Sequence, residues 1–150
     1  MDGTDREILG ALESDGRMTY MELARTVSLS PNAVADRIRR LLHAGIIRRF
    51  TAELSPEALG LRLHAFVDVK LRSDHAADEF ERELGNIPGV LECLLTTGRF
   101  DYTLRVVCRD QTDLVRIVEQ LRTRSGAAET YSRIILRERR FALARAGRQR

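Results

Sequence analysis

Tryptophan is absent from this sequence, lysine occurs once, at Lys70, and cysteine occurs twice. No apolar run approaches the roughly 18 residues that a membrane-spanning helix requires, so we expect no membrane partner. Cys93 and Cys108 lie in predicted strands without the spacing of a metal site or a redox motif, and we expect both to be reduced core residues. No secretory leader precedes Asp2, which favours a cytoplasmic, nucleoid-associated protein.

Positive charge is concentrated in one part of the sequence. The formal net charge is only +3, yet five arginines fall between Arg37 and Arg49, a window of thirteen residues that contains no carboxylate. A cluster of cations attracts a phosphate backbone, so this window is the first candidate for contact with nucleic acid.

Residues 19–45 contain helix start and stop signals at the spacing of a helix-turn-helix. Thr19 and Glu22 have capping-box spacing, which predicts the start of a first helix. Ser30 and Pro31 predict the start of a second helix, because Ser is a preferred N-cap and Pro lacks only an N–H that would be unpaired. Gly45 predicts its end. In the second helix one stripe should be buried: Val34, Ile38, Leu41 and Leu42.

The remaining positions of this second helix should face outward and read double-stranded DNA. Amides and guanidiniums on an exposed helix suit the major groove, although a helix carrying several arginines is more often a solvated surface. The coincidence of caps, turn and glycine stop favours DNA here. The predicted DNA contacts are Ser30, Pro31, Asn32, Ala33, Asp36, Arg37, Arg40 and Arg48.

Two further segments complete the predicted DNA-binding domain. Residues 4–14 read as a helix capped by Asp2 or Thr4, which supplies the third helix of the bundle. Residues 46–54 are rich in β-branched and aromatic side chains and predict a strand or wing. Arg48 and Arg49 on that strand can reach phosphates, or can equally be a solvated edge.

After a short connector the hydrophobic period changes and predicts a second domain of order βαββαβ. This is the ferredoxin-like arrangement, an α+β fold with both helices on one face of a four-stranded antiparallel sheet. The other face should be bare and apolar, presenting Phe66, Val107, Tyr131 and Ile135, so we expect it to pack on a second copy. The predicted boundaries are 1–53 for the DNA-binding domain (motif 20–39), 54–61 for a hinge, 62–138 for the second domain and 139–150 for a basic tail.

The stretch from Thr97 to Tyr102 suits a zwitterionic ligand. Gly98 permits a positive φ and exposed backbone N–H groups for a carboxylate, while Asp101 can receive an ammonium. On these residues alone a plain hairpin turn is the better interpretation.

Nearly the whole chain resembles the Lrp/AsnC family of transcriptional regulators. The resemblance rests on ELARTVSLSPNAVADRIRRLLHAGII for the helix-turn-helix, FTAELSPEALG for the hinge and TTGRFDYTLRVV for the effector-domain signature. It implies a winged helix-turn-helix joined to a ferredoxin-like domain, homodimers formed through the sheets, octamers in many members, and a small amino acid bound between dimers. No cofactor, metal or catalytic residue is implied. The effector contacts that it implies are Gly98, Asp101 and Tyr102, with Thr97 and Arg99 beside them.

Two other functions remain open at this stage. Some proteins similar to this family decarboxylate sirohaem with histidines of the second domain, but His43, His64 and His75 are scattered here without pairing. The other alternative is an architectural protein that binds DNA with little base preference.

Overall fold

A computed structural model describes residues 1–139 of the chain. The described part forms two compact units, Met1–Glu53 and Leu54–Glu138. Of the predicted basic tail, residues 140–150 lie outside the described residues. Among the residues described, no helix combines the length and the apolar character needed to cross a membrane.

The first unit is built from three helices whose starts are fixed by side-chain caps. Asp2 accepts a hydrogen bond from the Asp5 N–H at 2.8 Å, and Thr19 accepts from the Glu22 N–H at 3.2 Å, while each partner carboxylate returns to the cap backbone. Ser30 caps the third helix with proline at its first position. The capping residues predicted from the sequence are therefore confirmed. The helices are α1 (Gly3–Ser14), α2 (Tyr20–Thr26) and α3 (Pro31–His43).

The core of this unit follows the predicted helical stripes with one exception. Val34, Ile38 and Leu41 are buried on α3, but Leu42 is 39% exposed. The chain turns at Gly45, whose φ is +69°, so that the N–H groups of the two following residues both reach the Leu41 carbonyl. This glycine ends the helix as predicted. The buried cluster consists of Ile8, Leu23, Ala24, Val27, Val34 and Ile38.

The predicted wing strand over residues 46–54 was wrong. These residues contain no strand in the structure, and Arg48 and Arg49 lie exposed on an irregular segment. A strand exists only where another strand satisfies its backbone groups, and no described residue pairs with this segment. Its β-favouring composition was a weaker signal than the missing partner.

The second unit confirms the predicted order βαββαβ. Its sheet has the strand order β2-β3-β1-β4, and every neighbouring pair is antiparallel. The elements are β1 (Leu63–Leu71), α4 (Ala77–Leu84), β2 (Val90–Leu95), β3 (Tyr102–Cys108), α5 (Gln111–Thr123) and β4 (Ala127–Ile134).

Both helices of this unit pack on the same face of the sheet. Alternate residues of β1 and β3 are buried against α4 and α5, as a strand period of two requires. Phe80 contacts Tyr102 with ring centroids 4.9 Å apart. This core packs beneath the two central strands, which are paired with each other from Leu63 to Val69 of β1.

The other face of the sheet is more polar than predicted. Val107 is only 2% exposed, so it is not presented to a partner. The Phe66 ring lies beneath the guanidiniums of Arg105 and Arg133, at 5.2 and 5.7 Å from its centroid. Asp68 is buried, with only 8% of its surface exposed, and its carboxylate accepts a hydrogen bond from Thr103 and pairs with Arg133. Arginines and a buried carboxylate thus cover much of the surface that the sequence pattern assigned to apolar residues.

One of the two cysteines differs from its predicted placement in the core. Cys108 is buried, but Cys93 lies exposed on the edge strand β2. An edge strand has only one neighbour, so burial of its helix-facing side depends on how far α4 and α5 extend over it.

The turn at Gly89 offers a test of the packing between β3 and α5. Gly89 has φ +93°, and a Cβ there would overlap the backbone oxygen of Val107. Gly60 has a similar φ of +84° with open space around it. We expect Gly60→Ala to destabilise the fold by about 1 kcal/mol through backbone strain. Gly89→Ala should cost about 1–3 kcal/mol more, because rigid backbone must move.

Urea unfolding of both variants against the parent measures this difference. Equal midpoints for the two variants would contradict the assigned close approach of Gly89 to β3.

Candidate nucleic-acid interface and effector site

The outward face of α3 is a polar surface presented by a well-capped helix. Ser30 Oγ accepts from the Ala33 N–H at 3.2 Å, which fixes the helix start and leaves Pro31 and Asn32 exposed. The positive end of a helix dipole favours an anion such as a phosphate. An open hollow runs along this face, lined by Ala33, Asp36, Arg37, Arg39, Arg40 and His43.

The arginines of this face differ in how they are engaged. Arg39 donates to Asp36 at 2.8 Å, one turn back on the same exposed surface. Arg40 is exposed, and its guanidinium has no ion-pair partner among residues 1–139. Arg40 is therefore the arginine of α3 that is free to meet a nucleic acid, and Arg48 is likewise exposed beyond the helix.

Arg37 is engaged within the domain, although the sequence pattern placed it on the outward face. Its Nη1 lies 2.7 Å from a carboxylate oxygen of Asp2 and 2.7 Å from one of Asp5. The hydrogen bond from Arg37 lowers the pKa of the Asp2 carboxyl. The pKa of the Asp5 carboxyl is lowered first by the hydrogen bond from the Asp2 N–H and then by the hydrogen bond from Arg37. The acidic partners were missed because they lie more than thirty residues away in the sequence.

The second candidate site is the loop between β2 and β3. Gly98 adopts φ +120°, as the sequence predicted, and no atom lies within 4 Å of the position that a Cβ would take. Thr97 and Arg99 flank it and are exposed. The loop is closed by a hydrogen bond from the Thr96 N–H to the Asp101 carbonyl at 2.9 Å. An exposed glycine corner of this kind leaves backbone N–H groups accessible to a small anion.

Asp101 already holds this loop to β1. One carboxylate oxygen accepts from Lys70 Nζ at 2.7 Å, and the other accepts from the Leu71 N–H at 2.8 Å. The Asp101 N–H donates to the Val69 carbonyl. The Lys70 hydrogen bond, followed by that of Leu71, lowers the pKa of the carboxyl. Lys70 is thus a site residue that sequence reasoning missed, and its being the single lysine was the available signal.

Tyr102 lies in the core and not on the loop surface. Its side chain is 1% exposed, and its hydroxyl donates to Glu81 at 2.8 Å. Burial, followed by the hydrogen bond to Glu81, raises the pKa of the phenol to about 12. The residue therefore anchors the start of β3 beneath the loop.

Other side chains beside the loop were not predicted. Arg99 pairs with Glu129 of β4 at 3.1 Å, and its guanidinium lies 5.2 Å from the centre of the Phe100 ring. Phe100 stacks with Tyr131 at 6.3 Å between centroids. The loop thus lies beside an aromatic pair and an exposed ion pair. Within the described residues, no group of three or more His, Cys, Asp or Glu side chains can hold a metal ion.

Comparison with protein families gives two matches, in the order that the structure shows. A family model described as the AsnC-type helix-turn-helix domain matches residues 1–42. A second, described as the Lrp/AsnC ligand binding domain, matches residues 64–141. The two matches fall on the two candidate sites.

Individual proteins give the same result. The leucine-responsive regulatory protein of Escherichia coli is 32% identical over 141 residues, covering 92% of this chain and 86% of that protein. The transcriptional regulator FL11 of Pyrococcus furiosus is 28% identical over 137 residues, covering 91% and 90%. Among solved structures, a transcriptional regulator of Neisseria meningitidis in complex with L-Met superposes with a TM-score of 0.84 at 34% identity, covering 96% and 95% of the two chains.

The buried phenol of Tyr102 gives a direct test of the core beneath the loop. In a rapid pH jump followed by tyrosinate absorbance, read before unfolding, we expect one phenol to ionise only at about pH 12. Tyr102→Phe should remove this last step, because the substitution removes the buried phenol. Tyr131→Phe, at an exposed position, should retain it. A step near that pH that survives in Tyr102→Phe would contradict the assignment.

Proposed function

Because this chain belongs to the Lrp/AsnC family, we propose that it is a sequence-specific DNA-binding transcriptional regulator whose DNA binding or assembly responds to a small amino acid. The observation that carries the proposal is the capped helix α3, which presents an exposed polar face at the end of a helix-turn-helix. Of the relatives that match over nine-tenths of the chain, FL11 is named as a transcriptional regulator and the Escherichia coli protein as a regulatory protein.

We assign DNA recognition to the outward face of α3 and the segment behind it. The start of the helix, with Ser30, Pro31, Asn32 and Ala33, suits a phosphate, because the positive end of the helix dipole lies there and Asn32 is exposed. Asn32 and Arg40 are exposed and have the donors that base edges in the major groove accept. Asp36 restrains Arg39, and Arg48 suits a backbone contact.

We assign the amino-acid effector to the loop between β2 and β3. The effector carboxylate suits the corner formed by Thr97, Gly98 and Arg99, where backbone N–H groups and a guanidinium are exposed. The L-Met complex of the Neisseria meningitidis regulator supports an effector of this chemical class. Asp101 contributes by holding the loop on β1, and Tyr102 by anchoring the strand below it.

We also propose that the chain acts as a homodimer and that the effector is bound between dimers, where the loop becomes part of an enclosed site. The loop is too exposed in one copy to bury a small ligand, and binding sites usually enclose most of a ligand's surface. A two-fold dimer would also place two copies of α3 on half-sites of one operator. An octamer assembled from such dimers extends the same arrangement.

The DNA assignment is tested with a duplex selected by the parent protein from a random pool. If Arg40 contacts a base, Arg40→Ala should weaken binding by about 1–3 kcal/mol. If Arg40 contacts a phosphate, the slope of log affinity against log salt should fall by about one. Arg122→Ala, at an exposed position of α5, is the matched control and should bind as the parent does.

An Arg40→Ala protein with unchanged affinity and salt dependence would remove α3 from the interface. Failure of the parent to enrich any sequence would support the architectural alternative.

The effector assignment is tested by separating direct contact from loop support. If Asp101 supports the loop through Lys70, then Asp101→Asn and Lys70→Met should both weaken amino-acid binding, by about tenfold or 1.4 kcal/mol. If Asp101 instead bound the ammonium directly, Lys70→Met would leave the affinity unchanged or raise it, because the carboxylate would be released.

Calorimetry with a panel of amino acids that includes L-Met measures both variants. Arg72→Met, at a nearby cation whose ion-pair partner among residues 1–139 is Asp74, is the control and should bind as the parent does. All three variants should keep the DNA affinity of the ligand-free protein, since the loop lies in the other unit.

A further inference from the structure

A closed ring of four contacts joins the start of α1 to the middle of α3. The Asp2 N–H donates to Asp5 Oδ2 at 2.9 Å, and the Asp5 N–H donates to Asp2 Oδ1 at 2.8 Å. The two oxygens left over, Asp2 Oδ2 and Asp5 Oδ1, both accept from Arg37 Nη1 at 2.7 Å. All four carboxylate oxygens are therefore occupied, and the helix cap and the ion pairs form one unit.

The ring is partly shielded from solvent, which distinguishes it from an ordinary surface pair. The side chains of Arg37 and Asp5 are 21% and 11% exposed, whereas that of Asp2 is 55% exposed. The carboxylates of Asp2 and Asp5 lie close together and repel each other, and the guanidinium that they share offsets this repulsion. Removal of Arg37 would leave the Asp5 carboxylate largely buried beside another negative charge, which is unfavourable.

The ring also lies beside the apolar contact between the same helices. Ile8 of α1 belongs to the buried cluster that contains Val34 and Ile38 of α3. Arg37 is one turn from Val34 and adjacent to Ile38, at the border between the buried stripe and the outward face. The apolar contact favours close packing without fixing the angle between helices, while short charged hydrogen bonds are directional.

We propose that Arg37 is a positioning residue, which sets the orientation of the DNA-facing helix by bracing it to Asp2 and Asp5, and that it does not itself contact DNA. A phosphate contact would require Arg37 to leave two short ion pairs, whereas Arg40 one turn on needs no such exchange. The inference rests on the proposed DNA-binding function. On this proposal Asp2 and Asp5 contribute to DNA recognition by positioning α3.

The brace and its alternative predict opposite changes in the DNA affinity of Asp5→Asn, which makes the proposal testable. If Asp2 and Asp5 brace Arg37, then Arg37→Met and Asp5→Asn should weaken binding to the selected duplex alike, by roughly tenfold, because precise placement serves base contacts. If the aspartates merely sequester a DNA-contacting arginine, Asp5→Asn should strengthen binding.

The salt dependence supplies a readout that a structural defect alone does not move. For Arg37→Met we expect the slope of log affinity against log salt to equal that of the parent, whereas loss of a phosphate contact lowers it by about one. Affinity for a scrambled duplex should also stay at the parental value. Arg122→Met serves as the control for loss of one arginine elsewhere. A lowered slope in Arg37→Met, or tighter binding by Asp5→Asn, would overturn the proposal.

The brace itself is measured without DNA. Thermal unfolding of Arg37→Met, Asp5→Asn and the double variant should be non-additive, with the double variant losing less than the sum of the single losses. Additive losses would overturn the brace. If Asp5→Asn does not fold, the more exposed Asp2→Asn replaces it in both experiments. A parent protein that selects no DNA while the coupling persists would reject the proposed function and not the brace.

Discussion

Both candidate sites depend on the same interaction, a carboxylate that accepts from a backbone N–H with one oxygen and from a cationic side chain with the other. Asp101 does this with Leu71 and Lys70. Asp5 does it with Asp2 and Arg37. A charged hydrogen bond is shorter and more directional than an apolar contact, so it fixes an angle as well as a distance. In units of this size, whose cores are small, such contacts decide how a functional segment is presented.

What could be predicted from the sequence was local. The caps Thr19 and Ser30 were predictable because a cap joins residues three positions apart, and the buried stripe of α3 followed from its period. The order of strands and helices in the second unit was predictable for the same reason. Each of these features is visible within a window of a few residues, and the physics that produces it acts within that window.

What could not be predicted was the choice of distant partners. Arg37 meets Asp5 across 32 positions and Lys70 meets Asp101 across 31, so nothing in either segment indicates the pairing. The wing strand failed for a related reason, since residues 46–54 have strand composition but no described partner. Tyr102 shows the converse error. A motif suggested that it contacts a ligand, while the strand period placed it in the core.

The position of the loop that we propose as the effector site constrains how a ligand there can act. Asp101 holds the loop at one end of β1. At the other end of β1, Glu57 Oε1 of the predicted hinge lies 3.1 Å from His64 Nε2. Between them β1 is paired with β3 on one side and β4 on the other, and its helix-facing residues are fully buried. A strand paired on both sides and buried on one face offers no second arrangement in this structure, whereas coupling needs an element with two. We therefore assign the effector's influence to contacts between copies of the chain, whose populations a ligand can shift, and not to deformation of β1.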